Sequence, residues 1–359
     1  MMLLLLRGIA LAEAGETVFA RQVGFEALAE YAGETGFDAW ATLGTLLRGE
    51  TGTPSELLRQ LLDGFKGRIQ SDFSALLQGI LPPVLLCVLL RQLLGRERVA
   101  TDMASLLCGL CCALILGGQA VAARGTAETF LADVNRASDT LTPVLVSAAA
   151  VTGASVTASI MTPLAAECAD LINMLLRDVG LRLCMAAGVV AVAGSLSRRF
   201  PLQRLFGLMK GTVHWLLAAS MFIFGGLMSA RGLMGAARDT AAIQAAKLAL
   251  ENLVPVIGGE ISGSAGSLAA SAGAVFRAVG LTGVVFILHI CIEPMLKLGA
   301  GMVSMKLVAA VLEPLAGDVP AVAMVSRFGE IMELLLALCA CAAVVTALLV
   351  GGFAVLLRL

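Results

Sequence analysis

Apolar positions come in long blocks along this chain, separated by short polar stretches. Residues 74–94, 103–123, 213–234, 281–299 and 334–357 are nearly unbroken apolar runs, and 143–160, 181–196 and 300–316 are shorter or less uniform. An α-helix needs roughly 20 such residues to cross a hydrocarbon layer of about 30 Å. Helices suit that environment because they satisfy their backbone N–H and C=O groups internally. The pattern predicts an all-α, polytopic transmembrane protein. Residues 16–72 read differently. "FEALAEYAGETGFDAWATLGTLLRG" and "TPSELLRQLLDGFKGRIQSDF" set apolar residues at helical spacing among charges, which predicts a small amphipathic helical region. Thr53, Pro54 and Glu56 read as a capped helix start. These helices are too short for an enzyme domain and are expected on the membrane surface or against a partner.

The chain also repeats itself. "LTPVLVSAAAVTGAS" (141–155) and "LVPVIGGEISGSAGS" (253–267) both open on Leu-x-Pro-Val and dissolve into small residues. Further on, "RDVGLRLCMAAG" (177–188) lies over "IEPMLKLGAGMV" (292–303), so that Asp178 meets Glu293 and Arg182 meets Lys297. Gly-interrupted apolar segments at matching places in two halves are a pointer to a pore or binding site. The chain divides on this reading into a signal-peptide remnant (1–15), extracytoplasmic amphipathic helices (16–72), a first transmembrane hairpin (73–140) and two membrane repeats (141–252 and 253–359). The opening "MMLLLLRGIALAEAGE" reads equally as the tail of a signal peptide or as an amphipathic start.

Two sets of residues carry candidate function. Gly259, Gly263, Ser267 and Ser271 recur every four positions, so they share a helix face that suits a tight helix–helix contact or a pore lining. His289, Glu293 and Lys297 share another face, and Asp178 with Arg182 repeats that spacing. Charges within apolar segments face a partner or a water-filled cavity. These five residues read as a polar cavity near the repeat axis, or as charges paired near the interface, where long side chains snorkel.

Composition sharpens this picture. Hydrophobic residues make up 58% of the 359 and charged residues only 14%, against about 25% in soluble domains. Mean hydropathy is +0.92. Lys and Arg favour cytoplasmic loops. Residues 196–211 hold Arg198, Arg199, Arg204 and Lys210 with no acid and are expected to be cytoplasmic, as is the turn around Arg91, Arg96 and Arg98. Residues 124–142 and the acidic N-terminal region then face outside. The net charge of −1, with no basic patch interleaved with aromatics, speaks for no nucleic-acid partner. The nine cysteines sit in or beside apolar segments and read as small packing residues. Cys108, Cys111 and Cys112 lack the loop-like spacing of a zinc site.

Catalysis has little to work with. The chain contains no GxxxxGK[ST] phosphate loop, HExxH or GxSxG. Glu167 and Asp170, at i and i+3, could hold a cation or move a proton, but two histidines and no nucleophile constellation argue against an enzyme. No cofactor is expected.

The later residues resemble a known family. "GLMSARGLMGAARDTAAIQAAKLALENLVPVIGG" (226–259) and "KLVAAVLEPLAGD" (306–318) are similar to segments of the stage III sporulation protein AE family of endospore-forming bacteria. The resemblance runs from about residue 70 to the C-terminus. It implies a multi-spanning component of a complex in the mother-cell membrane around the forespore. That complex is a secretion-like channel or feeding conduit, with a separate ATPase and other membrane subunits. It brings no catalytic residues. The residues alone leave two further readings open, a stand-alone secondary transporter coupling through Asp178/Arg182 and Glu293/Lys297, and a passive membrane scaffold.

Overall fold

The computed structural model describes residues 25–47, 54–94, 98–151, 155–196, 202–253, 258–316 and 320–356. Every regular element among them is helical. Two short helices, α1 (Phe25–Glu34) and α2 (Ala39–Leu47), precede a long α3 (Pro54–Leu94) and α4 (Arg98–Val151). Helix α5 (Ser155–Leu175) runs through a π-helical turn (Leu176–Gly180) into α6 (Leu181–Leu196), and α7 (Gln203–Leu253), α8 (Gly258–Ala316) and α9 (Pro320–Leu356) follow. Among the described residues, four segments are long and apolar enough to cross a membrane: Met103–Val144 in α4, Gln203–Ser229 in α7, Val279–Pro314 in α8 and Ala321–Gly351 in α9.

Helix α9 is the central post. No charged residue follows Glu333 before Arg358, so beyond Glu333 the helix has no polar face to keep in contact with water, and a helix apolar all round is buried. Leu334, Leu335, Leu338, Ala342, Val345 and Leu349 are all within the core. Around it pack α4, α5, α6, α7 and α8, with α3 laid against α4 and α8.

The N-terminal hairpin does not lie apart. Helix α1 rests on α4 and α2 on α8. Phe25, Leu28 and Ala32 of α1 and Ala39 and Leu43 of α2 are buried, and the Phe25 and Trp40 rings meet edge to face at 4.8 Å. Burying side chains such as Phe25 and Leu28 is worth about 1.5–3 kcal/mol each. The expected surface or partner for these helices is therefore the chain's own membrane bundle.

Three expectations about breaks are corrected. Residues 124–142, read as an exposed loop, are the middle of α4. No proline interrupts them, and Arg124 and Glu128 pair along one face at 3.6 Å, a spacing that supports helix. The separate runs 281–299 and 300–316 are one helix, α8, which continues through Pro294. The boundaries drawn at 72/73 and 140/141 fall inside α3 and α4, and α4 runs on through Pro143 just beyond the second. The signal-peptide remnant 1–15 lies outside the described residues. Gly259, Gly263, Ser267 and Ser271 fall on the helical backbone of α8, and their side chains are outside the described set.

Candidate functional site: a polar cavity under the N-terminal hairpin

A cavity of about 450 Å³ opens between α4, α8 and the α1–α2 turn. Helix α8 supplies His289, Ile290, Glu293, Pro294 and Lys297, and α4 supplies Gly125, Thr126, Thr129, Phe130 and Asp133. Helical periodicity explains both rows, since residues at i, i+4 and i+8 stand above one another. Lys297 Nζ and Glu293 Oε1 are 2.5 Å apart, one turn from each other along the wall. Pro294 has no N–H, so the Ile290 carbonyl loses its usual i+4 donor in this stretch of α8. The Thr126 hydroxyl donates to the Ala122 carbonyl at 3.1 Å, which leaves its oxygen lone pairs available as acceptors.

The α1–α2 turn roofs this cavity, and its shape is written in short-range bonds. Phe37 N donates to Ala32 O at 2.9 Å and Gly36 N to Gly33 O at 3.1 Å, closing the α1 C-terminus. Gly36 has φ +77°, a left-handed conformation that glycine adopts without penalty. Asp38 then caps α2 by accepting from Ala41 N at 2.9 Å. The result places Thr35 on the cavity lining and the Phe37 ring 5.3 Å from His289 and 5.5 Å from Phe286. Tyr31 stands edge-on to Phe286 at 5.6 Å and donates its Oη hydrogen to the Asp133 carbonyl at 3.3 Å. Burial raises the Tyr31 phenol above its ordinary value of 10.0, and the negative charges of Asp133 and Glu34 add to the shift, against the opposing charge of Arg136.

Three of the five residues proposed for a polar cavity, His289, Glu293 and Lys297, line this one. Asp178 and Arg182 do not. They sit at the π-helical turn, 3.9 Å apart, with the Arg182 side chain 81% exposed. The backbone there widens so that Leu181 N bonds to Leu176 O. Gly180 brings the turn so close to α9 that a methyl group would stand 2.6 Å from Leu338. The five residues are two separate arrangements, because α5–α6 packs against α7 and α9 and α8 faces α4 with its own pair.

Several residues escaped the sequence reading. Thr126, Thr129 and Asp133 follow one another at i, i+3 and i+7, a helical row of polar groups in a stretch whose charges break the apolar pattern. The contacts of Tyr31 and Phe37 carry no local signal at all. Interhelical ion pairs were missed as well. Lys210 of α7 meets Glu330 of α9 at 2.7 Å, and Lys306 of α8 meets Glu333 of α9 at 2.7 Å. The Lys210 backbone carbonyl also lies 2.9 Å from His214 Nδ1.

The acidic pair Glu167 and Asp170 lines a different recess of about 390 Å³, together with Asn135 and Asp139. Burial raises the Asp170 carboxyl above its usual range, helped by the charges of Asp139 and Glu167, while the Ser138 hydroxyl, donating at 3.4 Å, opposes the shift. No group of three metal-ligating side chains occurs among the described residues. The eight described cysteines form no disulfide, and Cys108 and Cys112 are buried while Cys111 is exposed.

Comparison with known proteins places this architecture. A family model described as stage III sporulation protein AE matches residues 38–355. The chain belongs to that family. The match begins within the α1–α2 hairpin and takes in every helix of the bundle, so the family pattern includes both walls of the cavity. The stage III sporulation protein AE of Bacillus subtilis (strain 168) is 24% identical over 177 residues, which is 49% of this chain and 44% of that protein. The aligned stretch thus spans less than half the length of the curated relative. No solved structure matches the chain.

Proposed function

We propose that this protein is a non-catalytic, permease-like membrane subunit of a conduit between mother cell and forespore, and that the cavity under the N-terminal hairpin is its solute-admitting part. The observation that supports this most is the 450 Å³ polar cavity, with Glu293, Lys297 and Asp133 on its lining, set between two membrane-competent helices of a sporulation protein. Polar groups at such a place are costly unless water, a solute or a partner satisfies them. The protein sits in the mother-cell membrane around the forespore, beside other membrane subunits, and a separate ATPase supplies energy.

The test is genetic. Deleting the gene halts development after engulfment and leaves vegetative growth unchanged, and Glu293→Gln lowers spore yield while Asp178→Asn does not. Normal spore yield from the deletion strain would sink the proposal. Solute flux through liposomes holding this chain alone, abolished by Glu293→Gln, would point instead to a stand-alone transporter.

A further inference from the structure

A second cavity, of about 390 Å³, runs along α6 on the outside of the central post. Its walls are Gly117 and Val121 of α4, Cys184, Gly188 and Val192 of α6, and Ile331 of α9 among others, and its lining carries almost no polar surface. Small residues make the groove: a methyl group on Gly117 would meet nothing within 4 Å, and one on Gly188 would reach only the tip of Ile331, at 3.6 Å. From Cys184 to Ala193 the α6 wall rises about 14 Å, long enough to seat a good part of an acyl chain.

At one end of this groove stands a cation without a full set of acceptors. Arg327 lies one turn before Ile331 on the same face of α9. Its Nη1 packs 3.3 Å from where a methyl group on Gly194 would be, next in the chain to the groove-lining Ala193, and beside Leu202. That nitrogen is buried and has no hydrogen-bond partner among the described residues, whereas Arg327 as a whole is partly exposed. The guanidinium thus occupies the place where α6 ends and α7 begins. The connecting sequence holds Arg198 and Arg199, and Arg204 follows in the first turn of α7. A planar guanidinium with spare N–H groups matches phosphate oxygens, and basic pockets between membrane helices on the cytoplasmic side take anionic head groups.

We infer that the α4–α6–α9 groove binds an anionic phospholipid, with one acyl chain along α6 and the phosphate on Arg327. Tail and head have separate partners in the right order. The apolar wall begins one residue from the guanidinium and leads away from the basic connection into the bundle. The phosphate meets the partly exposed side of the guanidinium, whose Nη1 finds no acceptor among the described residues, and the tail fills a groove too apolar to hold water.

Full-length protein in neutral detergent, titrated with phosphatidylglycerol, phosphatidylcholine or glycerol phosphate and followed by thermal unfolding, tests this. A ligand bound only by the folded state raises the unfolding temperature. Phosphatidylglycerol is expected to raise it well beyond phosphatidylcholine, glycerol phosphate to leave it unchanged, and Arg327→Gln to reduce the phosphatidylglycerol effect to that of phosphatidylcholine. Equal effects of the two lipids, an unaltered response in Arg327→Gln, or a full response to glycerol phosphate alone would each overturn the inference. Should Arg327→Gln fail to fold, phosphatidylglycerol carrying a photoreactive acyl chain decides on the unmodified protein. Label within residues 184–193 supports the site. Label elsewhere, or none because another helix fills the groove, refutes it.

Discussion

Asp178–Arg182 and Glu293–Lys297 are written alike, an acid followed four residues later by a base in an apolar helix, and the fold treats them differently. The first pair stands at 3.9 Å on a π-helical turn, with its arginine 81% exposed. The second stands at 2.5 Å on a proline-containing stretch of α8 that walls a cavity. What separates them is the neighbour each helix meets. At the first, Gly180 lets the backbone press against Leu338 of α9, so packing occupies the inner side and the charges are left outside. At the second, α8 faces the threonines and Asp133 of α4 across an open cavity, with Thr35 of the hairpin on its lining and Phe37 and Tyr31 packed beside it. A shared local pattern can thus serve a packing turn in one place and a polar chamber in another.

The largest effect that would sharpen this contrast comes from Gly180→Val. A side chain there collides with Leu338, and overpacking of this kind costs about 1–3 kcal/mol. Thermal unfolding should show a clear loss, and an unchanged midpoint would mean that the turn is not held against α9. Next is Tyr31→Phe, which removes the bond to the Asp133 carbonyl and should cost about 0.5–1.5 kcal/mol at neutral pH.

The same variant carries a pH signature. The folded phenol titrates above the unfolded one, so the unfolded state gives up its proton first. The stability that depends on protonated Tyr31 is complete below pH 10.0 and is lost as pH rises from there through the folded value. Tyr31→Phe should flatten that alkaline decline, and an identical decline in the variant would place the titrating group elsewhere.

Gly301, one turn beyond Lys297, gives the opposite sign to Gly180. Nothing lies within 4 Å of a methyl group at Gly301, so Gly301→Ala should gain about 0.4–1 kcal/mol by restricting the unfolded chain. A loss would show that the cavity side of α8 is as tightly packed as the π-helical turn. The smallest effect is expected from Asp178→Asn. An exposed ion pair contributes about 0–1 kcal/mol, and raising the salt concentration should erase what difference there is.

Much of the α8 wall was legible in the sequence. His289, Glu293 and Lys297 stand four apart in an apolar helix, and that spacing alone puts them on one side. The α4 wall was legible in principle but masked, because a charge-bearing stretch between apolar runs looks like a loop until its helical continuity is known. The roof was not legible. Phe37 reaches His289 and Tyr31 reaches Asp133 across more than 100 positions of sequence, and nothing in a local window records such a meeting.

By itself, then, the amino-acid order determined what depends on neighbours along the chain: helices throughout, long apolar runs able to cross a membrane and the one-sided rows of polar groups. Those follow from backbone hydrogen bonding and a period of 3.6 residues, which are local. Tertiary structure alone decided which helix each face meets. It made α9 the central post, folded the N-terminal hairpin onto α4 and α8, and set one acid–base pair on a packing turn and the other on the lining of an open cavity. Those choices rest on shape matching between distant side chains, such as Gly180 against Leu338, and close packing of that kind is set by the whole assembly of helices at once.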